Sequence, residues 1–189
     1  MLDMFEGMRR GLLFAATTIV TALGPAATAL ARGGGDVHQR GPSPAKIQKA
    51  LRAAKSSTFL WATVNVCVPK PHHGGLIGIR GEMPALGFPA TLSMTIQLNQ
   101  RSAKTGTYSP VPGTTASRTV TLGKFKGHVH QGGVEFPYTS DTARLNATVS
   151  FIWSRGGKQL GQVSHTTTGG HPEADFGQPP HHSSATCKF

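Results

Sequence analysis

Leu145-Asn146-Ala147-Thr148-Val149-Ser150-Phe151-Ile152-Trp153 places an apolar side chain at every odd position and a polar one at most even positions. Successive side chains of an extended chain point to opposite faces, so this stretch reads as a strand with one face on a core and the other in water. Arg155-Gly156-Gly157-Lys158 follows, and its paired glycines supply the positive φ angles that a tight hairpin turn requires. The return strand is expected at about residues 159–167, with Gly161 interrupting the alternation as a bulge. Leu92, Met94, Ile96 and Leu98 repeat the pattern against Ser93, Thr95 and Gln97, and Ala62, Val64, Val66 and Val68 form a third case. In that last register Cys67 falls on the other face, with Trp61, Thr63 and Asn65. Either both faces are covered, or the C-terminal segment crosses the outer face to reach the cysteine. Weaker strands are expected at 76–82, 118–122, 124–130 and 134–138, with an ordered inter-strand loop at 81–89. Short strands between Gly- and Pro-rich turns, with no helix among them, predict an all-β fold: an antiparallel sandwich of about seven strands over 57–168.

Ahead of the strands, Ser43-Pro44 is a helix start, and Ile47, Ala50, Leu51 and Ala54 recur at helical spacing with Lys46, Lys49, Arg52 and Lys55 between them. A flexible leader over 32–56 thus ends in a short basic helix. Its apolar stripe is mostly alanine, which suits a cap on the sandwich better than a membrane anchor. Residues 1–31 have the three-part design of an export signal. Arg9 and Arg10 supply the charge, an apolar stretch at 11–23 is too short to span a bilayer, and Ala29-Leu30-Ala31 offers the cleavage site. The two arginines leave the general and twin-arginine routes open. The mature chain of about 158 residues is enough for one core, and no later apolar run reaches membrane-spanning length. The location expected is secreted or extracytoplasmic.

Cys67 and Cys187 are the only thiols, and outside the cytoplasm they are expected to pair. Closing a loop of roughly 120 residues stabilises the fold by about 4–5 kcal/mol in the chain-entropy model. Residues 169–189, rich in Gly, Pro, His and Ser, are expected to run over the surface as a tail tied at Cys187.

The formal net charge is +11, and removing 1–31 takes away two charges of each sign, so the balance favours anionic partners. Nucleic acid is not expected, since no aromatic-basic recognition module is present. The chain has no Gly-x-Ser-x-Gly elbow, phosphate loop, dinucleotide fingerprint, His-Glu-x-x-His helix or acidic calcium loop. No catalytic residue is therefore assigned, and the reading is non-enzymatic. Lys124, Lys126, His128 and His130 would share one face of an extended strand and form a cationic stripe toward phosphate-rich or acidic cell-envelope polymers. No cofactor follows from that reading. The alternative is a secreted Zn²⁺ or Cu²⁺ protein in which His128 and His130 share an ion with His165, or with Glu135 as third ligand. Lys124 and Lys126 on the same face oppose it, because ammonium groups repel a divalent cation.

Gly127-His128-Val129-His130 resembles the copper-ligand strand of copper–zinc superoxide dismutases, but no matching later set of zinc-ligand histidines and aspartate follows. With its Trp153 strand, Gly-Gly hairpin and late cysteine, the chain from about residue 57 to its end resembles exported bacterial immunoglobulin- or fibronectin-III-like β-sandwich domains. The Cys-Trp-Cys arrangement of antibody domains is missing. The resemblance is one of pattern, so it implies a fold and transfers no functional residue.

Overall fold

The computed structural model describes residues 41–70, 74–140 and 142–189. The expected export signal and the expected leader up to residue 40 lie outside the described residues, as do Pro71, His72 and His73. Helix α1 (Pro44–Lys55) precedes β1 (Trp61–Pro69), β2 (Gly75–Pro84), β3 (Ala90–Arg101), β4 (Tyr108–Pro110), β5 (Ser117–Phe125), β6 (Val129–Tyr138), β7 (Arg144–Arg155), β8 (Lys158–Thr166) and β9 (Cys187–Lys188). Two antiparallel sheets form a sandwich, one in the order β1-β2-β6 and the other built on the β3–β7 pair. β5 and β4 pair with successive lengths of β3, while β8 and β9 pair with successive lengths of β7. The sandwich of about seven strands is present as nine segments among the described residues. They occupy three positions in one sheet and four in the other.

The core follows from the alternation. Leu92, Met94, Ile96 and Leu98 of β3 stand opposite Trp153, Phe151, Val149 and Ala147 of β7, rung by rung. All eight are at most 1 % exposed. Paired residues of an antiparallel ladder share a face, so two matching patterns bury one continuous apolar surface. Ala62 and Val64 of β1, Ile77, Ile79 and Met83 of β2 and Phe136 of β6 meet it from the other sheet. The hairpin after Arg155 closes with Gly156 at φ 56° and Gly157 at φ 77°, as the sequence requires. β2 continues to Pro84, so half of the expected 81–89 loop is strand.

Helix α1 is capped by Ser43, whose Oγ accepts the Lys46 N–H, and Pro44 opens its first turn. Leu51 and Ala54 are buried in the sandwich core, which makes the helix a cap on one end. Leu51 rests on Gly161, where a Cβ would come within 2.8 Å of a Leu51 methyl. The absent side chain makes room for the helix, and the bulge falls on the adjacent Leu160, between the Trp153–Gly161 and Ser154–Gln159 pairs.

β1 resolves the placement of Cys67. Val64 faces Ile79 and Val66 faces Gly78, so Asn65 is an extra residue and the side-chain parity reverses after it. Cys67 is thereby turned toward the core and bonds to Cys187, with a Cα–Cα distance of 5.4 Å. The outer face of β1 is also covered. Val64 exchanges backbone hydrogen bonds with Ser184, the Gln178 N–H donates to the Asn65 carbonyl, and the Asn65 amide donates to the Asp175 carbonyl at 2.8 Å. The expectation of a tail tied at Cys187 alone, outside a sandwich ending at 168, is therefore corrected. Buried Thr63 and Asn65 and the half-buried Gln131 need polar partners, and the C-terminal segment supplies them as a strap across β1. Trp61 belongs to this layer. It stacks on His171 with ring centroids 4.5 Å apart and donates its indole N–H to Glu82 at 3.1 Å.

Candidate anion-binding cleft

The cationic stripe expected at 124–130 is not a single strand. β5 ends at Phe125 and belongs to the β3 sheet, whereas β6 starts at Val129 and pairs with β2. Lys126-Gly127-His128 carries the chain from one sheet to the other. His128 takes a left-handed conformation, φ 67°, and its carbonyl accepts the Ala85 N–H at 2.9 Å. The local signal for this turn was Gly127 between polar neighbours.

The four predicted residues consequently separate. Lys124, on β5, pairs with Thr91 of β3 and is exposed. Lys126 and His128 are exposed in the crossing. His130 is half-buried on β6, its ring stacked on Phe125 at 3.5 Å and its Nε2 2.9 Å from the Gly127 carbonyl.

His165 sits on β8, edge-on to Phe151, at the sheet edge opposite β5. Glu135 lies five residues beyond His130 along β6, about 17 Å for extended chain, and on the opposite face, since His130 pairs with buried Met83 and Glu135 with Gly78. The His128, His130 and His165 set is not assembled. Among the described residues no three His, Cys, Asp or Glu side chains group as a metal site.

A different set of cations does converge. A cavity of about 420 Å³ is lined by Lys46 of α1, Lys126 of the crossing and Arg155 at the end of β7, with residues 41–43 and 87–89 completing its walls. Arg155 also packs against Gly41, 3.1 Å from the position of a Cβ there. Among the described residues no carboxylate lines the cleft, and the first turn of α1 carries no acidic residue. The positive end of the helix therefore adds to the field of three side-chain cations.

Each part has a local cause. The Ser43 cap starts the helix so that Lys46 projects from its first turn, the Gly-Gly hairpin fixes Arg155 at a strand end, and the sheet crossing delivers Lys126. Partly exposed cations of one sign in a concave site attract anions at a range set by ionic strength. Lys46 and Lys126 were legible in the sequence as cations, whereas Arg155 was read only as part of a turn. No protein-family model matches the chain, and no curated protein matches it significantly.

Proposed function

We propose that the protein is an exported, non-enzymatic module that binds anionic cell-envelope polymers through this cleft. The observation that carries the reading is the convergence of Lys46, Lys126 and Arg155 on one cavity with no carboxylate among the described residues of its lining. A disulfide accords with an oxidising, extracytoplasmic location. Among the described residues no helix is long and apolar enough to cross a membrane. The two-sheet sandwich is consistent with an immunoglobulin-like scaffold, which leaves specificity to the site.

The test uses long-chain polyphosphate and an acidic polysaccharide as probes in isothermal titration calorimetry. Binding is expected to weaken as salt rises. Lys126→Ala/Arg155→Ala should weaken it by about tenfold or more, the equivalent of about 1.4 kcal/mol, while Lys124→Ala leaves it within about twofold. Salt-independent binding, or equal affinity in the double variant, would refute the reading.

A further inference from the structure

A second cleft, of about 390 Å³, opens on the outer face of the β1-β2-β6 sheet, away from the cationic site. Its roof is Phe176, which is 78 % exposed and has φ 57°. A bulky residue in the left-handed region is strained, and a ring in water gains little from burial. Both features disfavour this placement for folding alone. The segment is nevertheless pinned: the Asp175 N–H donates to Gln131, the Asn65 amide to the Asp175 carbonyl, and the Gln178 N–H to the Asn65 carbonyl.

Beneath the ring lies the Arg80 guanidinium, 4.9 Å from its centroid. Arg80 Nε is buried and, among the described residues, has no hydrogen-bond partner, an unusual state for so polar a group. Glu135 lies on the same face, because Arg80 pairs with Gly133 and Gly78 with Glu135, and Gln178 completes the polar wall. Burial lowers the Arg80 pKa, while Asp175 and Glu135 act in the opposite sense. Neither carboxylate forms an ion pair with Arg80; among the described residues the one ion pair is His171–Glu173. One guanidinium stands between two carboxylates, which selects against a polyanion, and the mix of donors and acceptors suits a neutral ligand rich in hydroxyls.

We propose that this cleft binds a neutral sugar polymer, one ring stacking its C–H face on the free side of Phe176 while the hydroxyls of the adjoining ring, past the edge of the phenyl, meet Arg80, Glu135 and Gln178. A hydroxyl both donates and accepts, so vicinal hydroxyls can satisfy a guanidinium donor and a carboxylate acceptor together. Aromatic stacking covers the apolar ring face that this polar pair cannot serve.

The test is a ¹H–¹⁵N NMR titration of the oxidised protein with cellohexaose, maltohexaose and chitohexaose in turn, and with polyphosphate. At least one oligosaccharide is expected to shift the Arg80 Nε–H resonance and the Gly177 and Gln178 amides at millimolar concentration. Phe176→Asn, which tolerates the left-handed backbone, should weaken that binding by about tenfold, and Phe176→Trp should retain it. No shift with any of the three, unchanged binding in Phe176→Asn, or a shift of Arg80 Nε–H by polyphosphate alone would overturn the proposal. Lys126→Ala/Arg155→Ala should leave oligosaccharide binding intact, so failure of the anion reading and failure of this one are separately visible.

Discussion

Tyr138 shows how a single polar atom reports its surroundings. Its hydroxyl donates to Gln100 Oε1 at 2.8 Å, and burial raises its pKa above the ordinary tyrosine value. A folded-state value above the unfolded one means that the folded protein holds this proton longer. The stabilising contribution is complete below about pH 10 and is lost as pH rises through the folded value. Thermal melts across that range should show a steeper alkaline fall in the native protein than in Tyr138→Phe, and identical slopes would contradict the assignment. At this scale the sequence was informative about burial and mute about partners. Trp153 is core, as its alternation requires, but nothing local to Trp61 announces that it stacks on His171. The Asn65 bulge was equally hidden, since a one-residue insertion is visible only against the opposing strand.

Among the elements, β3 and β7 were legible because each carries its own burial pattern. Helix α1 was legible through its cap and apolar spacing, and its docking can be tested as a coupling. Gly161→Ala should cost about 1–2 kcal/mol by overpacking against Leu51, and Leu51→Ala about 2–4 kcal/mol through the lost methyl packing. The double variant should cost less than the sum in urea denaturation, because the shortened residue 51 admits the new methyl. Strict additivity would mean that the two residues do not meet. The segment at 124–130 failed as a strand for an identifiable reason. Phe125 and Val129 alternate with its Lys and His residues as a strand requires, but Gly127 stands between them, and one apolar residue on each side of a glycine cannot distinguish a strand from a turn between two strands. The candidate cleft depends on that turn, since it is the crossing between sheets that carries Lys126 toward Lys46 and Arg155.

Over the whole molecule, the Cys67–Cys187 bond ties together residues 120 apart in the chain, and the strap it anchors roofs the outer face of β1. Reduction should lower stability by about 4–5 kcal/mol in the loop-entropy account, read as a lower urea midpoint. A reduced protein with the oxidised midpoint would show that the bond does no thermodynamic work. The sequence by itself determined the class of fold, the two central strands, the hairpin, the capped helix and the cysteine pair, because each rests on a short-range period, a turn chemistry or an inventory of two. Only the tertiary structure decided that β1 reverses its faces at Asn65, that the C-terminal segment is a strap, and that Lys46, Lys126 and Arg155 share a cleft while His128, His130 and His165 share none. Those outcomes depend on which segments become neighbours, and neighbourhood is set by the joint burial of two sheets rather than by any stretch of chain read alone.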